Sequence, residues 1–411
     1  MPTLARRLSA LPYNERILYA EVAFQAVVEA GAMSFLAVFL VRLGAANWQV
    51  GLLDSLPALV MTVASLPMAA LVERKRSLVA VANWARFAFR AVIGSFALLP
   101  FLPQALATYL MLAARGLISV PSAAGNVAFV TILGRVAPPE RRPHMLSMRL
   151  AIHGLAASAV GYLAGRWLGS APYPLNYSSL FLSAFVAGLV SIYILSRLKL
   201  PKPAPGEREA VREPRRLKGA LSLMRSTPLL RNYSLATTVF HLGLAMPSAL
   251  YTIYRVRNMG ASDAWIGTLF TVERVLSVLT YFALSRLLSR PAWRRWLWVT
   301  CVGVALYPLS MGFCRTPAML LLPSICGGIF GSGMNIFITN ILFQVSSEEN
   351  RPTLVAADAT LANIAAFVAP LLGTALADAT NINLALLIIA GVRVVSGLSF
   401  WALGVTRERG T

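Results

Sequence analysis

Three polar side chains recur at every fourth position in an apolar segment near the amino terminus. Glu21, Gln25 and Glu29 are spaced by four residues, which places them along one face of a helix. At the helical rise of about 1.5 Å per residue, Glu29 lies roughly 18 Å from the start of the segment 17–41. A carboxyl group at that depth in an apolar segment needs a cavity, a partner or a proton. Glu29 is therefore the leading candidate for a proton-binding site, and Glu21 is a candidate proton relay or a residue of a solvated vestibule.

An arginine at a similar depth is a candidate partner of Glu29. Arg115 lies about ten residues into another apolar segment, 105–134, a distance of roughly 15 Å along a helix. If the two groups meet, entry of a substrate can move the carboxyl group between a charged and an apolar environment, as proton coupling requires. The alternative is a permanent ion pair that holds two helices together. Both interpretations stay open at this point.

The composition indicates that helices within a membrane must position these groups. Of the 411 residues 57% are hydrophobic and 13% are charged, and the mean hydropathy is +0.67. A soluble domain carries about 25% charged residues. Twelve apolar segments are long enough to cross a bilayer as helices, which need about 20 residues each. They predict an all-α integral membrane protein with spans at 17–41, 48–72, 78–101, 105–134, 146–168, 174–197, 230–254, 264–286, 293–312, 317–345, 353–377 and 382–404.

The basic residues predict the orientation of the spans. The formal net charge is +21, and most of the 37 lysines and arginines lie at the termini and in every second loop. Under the positive-inside rule, both termini are cytoplasmic and the protein lies in the cell's inner membrane. The Pro-rich, charged segment 199–228 is expected to be a cytoplasmic linker between an amino-terminal bundle, 1–198, and a carboxy-terminal bundle, 229–411.

Two short repeats relate the halves of the chain. Residues 44–51, Gly-Ala-Ala-Asn-Trp-Gln-Val-Gly, resemble residues 260–267, Gly-Ala-Ser-Asp-Ala-Trp-Ile-Gly, at an offset of 216. Residues 140–143, Glu-Arg-Arg-Pro, resemble residues 349–352, Glu-Asn-Arg-Pro, at an offset of 209. Because both matches fall in equivalent loops, the sequence predicts two pseudo-symmetric bundles of six helices.

These features together resemble the major facilitator superfamily. The resemblance rests on the six-plus-six spans, the basic central segment, the turn before span eight and the Pro-Pro-Glu-Arg-Arg-Pro sequence at 138–143. The family's signature between spans two and three is altered: Ala69 replaces a glycine, Glu73 supplies the acid and Arg74 begins the basic cluster. The Gly-Pro pair of span five in the drug/proton antiporters is absent. The resemblance implies alternating access, with spans one, four, seven and ten around a central cavity.

The offsets predict polar residues of that cavity. An offset of 216 maps Gln25 onto His241, and an offset of 209 maps Asn126 onto Asn335. We expect these four side chains to line the substrate cavity. A neutral His241 bonded within the fold is the alternative to a titrating one. Glu273 in span eight is a fifth candidate, because it and the adjacent Arg274 project about 100° apart and cannot both face the cavity.

Opposite charges predict a gate at the cytoplasmic side. The offset of 209 maps Arg149 at the inner end of span five onto Asp358 at the inner end of span eleven. We expect Asp358 to meet Arg74 when the cavity faces outward, with Glu73 and Arg149 in the same gate.

The function predicted from these residues is secondary transport, namely proton-coupled export of a lipophilic or amphipathic small organic solute. Few fixed charges in the cavity helices favour such a substrate, and the acid pair of span one resembles that of some multidrug/proton antiporters. One alternative is proton-coupled uptake of a polar or anionic metabolite held by Arg115 and the asparagines. The other is a lipid flippase or a membrane-embedded lipid-modifying enzyme.

Other chemistry finds little support in the sequence. There is no phosphate-binding Gly-x-x-x-x-Gly-Lys motif, and no nucleophile and base converge as an enzyme would require. The three histidines and three cysteines lack metal-ligand spacing. We therefore expect no cofactor and no metal, with the proton gradient as the energy source. The expected partners are a small-molecule substrate and the lipid bilayer, without nucleic acid, around a monomer.

Overall fold

The computed structural model describes residues 12–73, 77–136, 140–200, 228–287, 293–345 and 351–405. All regular secondary structure within these ranges is helical, and it forms twelve segments that we number α1 to α12. Nine of the described helices are long and apolar enough to cross a membrane. The twelve segments are α1 Tyr13–Arg42, α2 Asn47–Glu73, α3 Leu78–Phe101, α4 Gln104–Val136, α5 Arg142–Ser170, α6 Leu175–Ser196, α7 228–258, α8 Asp263–Leu287, α9 Trp293–Gly312, α10 317–345, α11 Arg351–Ala379 and α12 Ile382–Ala402.

The twelve predicted spans are confirmed, with every boundary within four residues of the expected one. The largest differences are extensions, as at the carboxy-terminal end of α7, where a π-helical turn, Tyr254–Asn258, continues the helix. The expected linker lies outside the described residues over 201–227.

The chain divides into two compact units. The first contains Met1–Phe39, Val63–Arg212 and Asp263–Thr271, and the second contains Leu40–Thr62, Glu213–Ser262 and Val272–Thr411. The units therefore follow the halves of the chain with one exchange. The first part of α2 belongs to the second unit, and the first part of α8 belongs to the first unit.

Each unit has its own apolar core. These cores consist of side chains that are almost fully buried, contributed by several helices of the same unit. In the first unit they include Leu18, Ala82, Ala128, Ile132 and Leu195, and in the second unit Tyr233, Phe240, Phe337, Leu354 and Phe400. Burial of a large apolar side chain away from water contributes about 1.5 to 3 kcal/mol to the free energy of folding. Helices that contact each other within lipid are stabilised by close packing instead.

The predicted repeat is visible in the backbone of two turns, one after α1 and one after α7. Gly44, between α1 and α2, has a φ of 81°, and Gly260, between α7 and α8, has a φ of 59°. These residues lie 216 positions apart, and a left-handed conformation of this kind favours glycine. The two turns are thus the same structure built twice.

Glycine permits a close crossing of α5 and α8 within the first unit. A Cβ atom on Gly165 would lie only 2.7 Å from the Cα atom of Gly267. In the second unit, Gly51 of α2 lies against Thr374 of α11, with 3.3 Å from an added Cβ to Oγ1. The offsets of 216 and 209 map Gly51 onto Gly267 and Gly165 onto Thr374. The repeat therefore extends from the turns to the helix crossings, which the sequence did not reveal.

Candidate functional site

The regular α-helix is interrupted at equivalent places in α1 and α7. Residues Val27–Met33 of α1 form a π-helix that contains Glu29. In α7 the α-helix ends at Ala245 and resumes at Ser248. Under the offset of 216, the break at residues 246 and 247 is equivalent to residues 30 and 31, which lie inside the π-helix of α1. Wide turns and broken helices at mid-depth are frequent at functional and transport sites.

The carboxylate of Glu29 connects three helices of the first unit. Its Oε1 accepts a hydrogen bond of 2.7 Å from Nε2 of Gln25, and its Oε2 lies 2.8 Å from Nε2 of His153 in α5. Gln25 in turn accepts a hydrogen bond from Arg90 in α3. The side chain of Glu29 is nevertheless 48% exposed. It is thus a carboxylate with a titratable neighbour and room for a further ligand.

His153 is not among the residues predicted from the sequence, although a signal for it was present. His153 follows Arg149 by four residues in α5, which matches the four-residue spacing of Glu21, Gln25 and Glu29 in α1. Two such stripes on packed helices bring basic groups opposite acidic ones.

Glu21 occupies a different environment from Glu29. Its side chain has no exposed surface, and it pairs with Arg86 of α3 and with Arg149 of α5, at 3.1 Å from the latter. Ser191 of α6 donates a further hydrogen bond of 3.2 Å. The aromatic ring of Phe129 lies under both guanidinium groups, at 4.4 Å and 4.8 Å from their central carbons. Two cations that keep their protons therefore surround this carboxylate.

The other predicted groups of the first unit are less informative. Arg115 is half-buried in α4, and Asn126 is exposed on the same helix. The pairing of Arg115 with Glu29 stays a prediction, as does the role of Asn126 in a cavity. Glu73 ends α2, its side chain lies outside the described part of the chain, and so does the whole of Arg74.

Glu273 belongs to a cluster of aromatic and basic side chains in the second unit. Its Oε2 lies 3.7 Å from Nη2 of Arg255, and Arg255 also donates a hydrogen bond to the hydroxyl of Tyr307. The ring of Tyr307 lies 4.3 Å from that of Tyr251. The side chain of Glu273 is 34% exposed, whereas that of Arg255 is 4% exposed. The π-helical turn Tyr254–Asn258 carries Arg255 into the packed end of α7.

His241 and Asp358 lie together in the second unit. His241 is on α7 and Asp358 is on α11, and the carboxylate also faces Thr237 and Tyr233. The predicted gate contact between Asp358 and Arg74 involves a residue outside the described ranges and stays a prediction. The side chain of Asn335 is also outside them.

Arg393 of α12 is buried and binds the backbone of two other helices. Its side chain donates hydrogen bonds to the carbonyl oxygens of Gly243 at 3.0 Å, Leu244 at 2.9 Å and Val304 at 2.9 Å. In a regular helix each carbonyl oxygen already accepts a hydrogen bond from a backbone N–H. The availability of these three carbonyls to Arg393 therefore needs an explanation.

Two prolines explain why these carbonyls are available. In an α-helix each carbonyl accepts from the N–H four residues later, and proline has no N–H. Gly243 precedes Pro247 by four residues, and Val304 precedes Pro308 by four residues. The guanidinium of Arg393 thus replaces the two missing donors, in a place where water is absent.

The turn after α1 and the turn after α7 contact each other through arginines within the second unit. Arg42 donates a hydrogen bond of 2.6 Å to the carbonyl of Ala261, and Arg257 donates one to the carbonyl of Ala45. Ala45 and Ala261 are equivalent at the offset of 216, so the contact is reciprocal. Its sequence signal was the repeat itself.

A match to known proteins identifies the family of this arrangement. Residues 22–322 match the family model of the Major Facilitator Superfamily. The chain belongs to this superfamily. It is an integral membrane transporter of the superfamily, with the twelve-helix fold in two bundles that the sequence predicted. Among the described residues, no group of three or more His, Cys, Asp or Glu side chains is placed to hold a metal ion.

Solved structures of other superfamily transporters share the fold. The nucleoside transporter NupG is 12% identical, with a TM-score of 0.72 and coverage of 95% of this chain and 99% of NupG. A D-xylose-proton symporter is 15% identical, with a TM-score of 0.71 and coverage of 96% and 98%. A bacterial homologue of the human lysosomal transporter Spinster is 13% identical, with a TM-score of 0.69 and coverage of 99% and 98%. No curated protein matches the chain in sequence.

Proposed function

We propose that this transporter couples the export of a lipophilic or amphipathic small organic solute to the entry of protons, by alternating access of a site at mid-depth. The observation that carries the proposal is the carboxylate of Glu29, which is half-exposed, in contact with His153 and located on a π-helical turn. A carboxylate in such a place can bind a proton or a substrate cation in turn.

Glu29 suits proton binding better than Glu21 does. The two arginines beside Glu21 keep their charge at any working pH, so that carboxylate belongs to a permanent ion-pair cluster. The neighbours of Glu29 include the amide of Gln25 and the imidazole of His153, and imidazole gains and loses a proton near neutral pH. One described partner of Glu29 is thus a group that can itself gain or lose a proton.

The distribution of charge favours a neutral or cationic solute. The guanidinium groups of Arg86 and Arg149 pair with Glu21, and that of Arg393 binds carbonyl groups. The side chains of Glu29 and Glu273, in contrast, retain 48% and 34% exposure. Exposed acids beside buried bases repel an anion and attract an amine.

The proposal includes an inner-membrane location and a monomer with both termini in the cytoplasm. The support is the concentration of basic residues at the termini and in every second loop.

Uptake of a polar or anionic metabolite is the second candidate. It is favoured by Arg115, half-buried in α4, and by the exposed Asn126 on the same helix. These groups can hold a carboxylate or hydroxyl groups of a substrate.

Flux measurements in proteoliposomes test the proposal. A pH-sensitive dye in the lumen reports proton movement when ethidium, an amphipathic cation, or the polar solutes D-xylose and uridine are added under imposed pH and voltage gradients. We expect ethidium to move protons in the parent and in Glu29→Asp, and to move none in Glu29→Gln. Glu140→Gln is the matched control, because Glu140 is an exposed residue outside the spans.

Two results would decide against the proposal. Proton movement with D-xylose or uridine and none with ethidium would favour the uptake candidate. Unchanged coupling in Glu29→Gln would remove Glu29 as the proton site.

A further inference from the structure

Three buried polar atoms without hydrogen-bond partners meet between α7 and α11. Among the described residues, Oδ1 of Asp358, Nδ1 of His241 and the hydroxyl oxygen of Tyr233 are buried and make no hydrogen bond. Asp358 faces both of the other side chains and Thr237. A buried polar group without a partner needs an explanation, such as strain, a chemical role or a bound water or ion.

The surroundings of this cluster are apolar. Tyr233 is fully buried, and Leu354 and Ala357, in the α11 turn that leads to Asp358, belong to the same apolar core. From α10, Met334 and Phe337 complete that core. An ionised carboxylate here is costly unless a positive charge or a proton accompanies it.

The charged groups near this cluster can be named helix by helix. From α7 the titratable groups are His241 and Tyr233, and from α11 the group is Asp358 itself. From α12, Arg393 approaches α7, but its guanidinium binds the carbonyls of Gly243 and Leu244. His241 is therefore the described basic side chain beside Asp358.

The repeat shows what is special about this place. The offsets map Glu21 onto Thr237 and Arg149 onto Asp358. In the first unit, α1 and α5 meet here through the ion pair of Glu21 and Arg149, in which the arginine keeps its charge. In the second unit, the equivalent helices α7 and α11 meet through an acid and a histidine, both of which can change charge.

We propose that Asp358 and His241 form a second proton-binding site, which titrates independently of Glu29. The inference deepens the proposed proton coupling and rests on it for its physiological role. The proton lies between the Asp358 carboxylate and the His241 imidazole, and Tyr233 is placed to donate to the carboxylate when the imidazole has lost its proton. Each unit then carries one acid–histidine pair, on α1 and α5 in the first and on α7 and α11 in the second.

The chain has only three histidines, His144, His153 and His241, so NMR of protein labelled with ¹⁵N-histidine can follow each one. The signals are assigned with single His→Gln variants of the full chain in detergent. We expect the pH at which the His241 signal changes to differ by about one unit or more between the parent and Asp358→Asn. In Asp358→Glu, which keeps the acid, it should stay closer to the parent value.

The other two histidines provide the controls. His144 is exposed, and its signal should be the same in all variants. In Glu29→Gln the His153 signal should change and the His241 signal should not. Unchanged His153 and His144 signals in Asp358→Asn also show that this variant is folded.

The inference is overturned if the His241 signal responds to pH identically in the parent and in Asp358→Asn, or if Glu29→Gln alters it as much as Asp358→Asn does. Proton flux is measured separately in the proteoliposomes. Absence of proton-coupled flux together with a His241 signal that depends on Asp358 would refute the proposed function and leave the proton site standing.

Discussion

Arg42 donates a hydrogen bond of 2.6 Å to the carbonyl of Ala261, and the residue equivalent to Ala261 in the other turn, Ala45, accepts one from Arg257. Each turn thus supplies a cation to the other and receives one from it. Because the acceptors are backbone carbonyls, the contact depends on the shape of the two turns and on the positive φ of Gly44 and Gly260.

We expect Arg42→Gln to lower the stability of the protein by about 1 kcal/mol, since a charged donor at a partly exposed site is replaced by a weaker one. The measurement is the midpoint of thermal unfolding in detergent. Arg166→Gln, which changes an exposed arginine near the carboxy-terminal end of α5, is the control. Equal midpoints for Arg42→Gln and Arg166→Gln would show that the reciprocal contact contributes nothing.

The crossing of α5 and α8 predicts contrasting effects of two identical substitutions. Gly165→Ala places a Cβ 2.7 Å from a backbone atom of Gly267, and we expect a loss of about 1 to 3 kcal/mol through overpacking. In Gly161→Ala, one turn earlier, the nearest atom to the new Cβ is Oγ1 of Thr271 at 3.9 Å. This variant should be as stable as the parent or more so, since alanine favours the helix by about 1 kcal/mol.

Thermal unfolding of both variants, measured side by side, tests this contrast. A Gly165→Ala variant as stable as Gly161→Ala would mean that the two helices are not in close contact at this point.

The role of Arg393 predicts an energetic coupling to a proline. Arg393→Met removes the donors to three carbonyls, and we expect a loss of at least about 2 kcal/mol. Pro308→Ala restores the missing N–H opposite Val304, so the same change should cost about 1 kcal/mol less in that background. A double-mutant cycle of unfolding free energies measures the difference. Additive effects would exclude the capping of Val304 by Arg393.

We expect substitutions of the two acids of α1 to differ in their effects, one lowering stability and the other abolishing transport. Glu21→Gln leaves Arg86 and Arg149 without their carboxylate, and we expect a loss of about 3 to 5 kcal/mol, as for other broken buried pairs. Glu29→Gln keeps the shape and the exposure of its side chain and should cost less than about 1 kcal/mol. Parallel unfolding and proton-flux measurements check both expectations. A Glu29→Gln variant that unfolds as readily as Glu21→Gln would indicate a structural role for both acids.

The sequence predicted the helices and the repeat well, because both depend on local information. Runs of about 20 apolar residues must form helices in a bilayer, and the turn at Gly44 needs the same backbone conformation as the turn at Gly260. The sequence also identified Glu21, Gln25 and Glu29 as one stripe.

The partners across helices were much harder to predict. His153, Arg86 and Arg149 face α1 only because of how α3 and α5 are rotated about their axes, which hydrophobicity alone does not specify. Arg393 is a similar case. The spacing of Gly243 from Pro247 is visible in the sequence, but the helix that supplies the missing donor is not.

The capping of broken helices by α12 has a consequence for biosynthesis. Ribosomes translate α7 and α9 before α12, so the carbonyls of Gly243 and Val304 enter the membrane before Arg393 exists to bind them. Until then, two proline-containing helices carry unsatisfied backbone groups in lipid, which quality-control proteases and chaperones can recognise. Insertion of α12 therefore marks the moment at which the second unit becomes complete, and nascent chains that lose this helix are expected to be degraded.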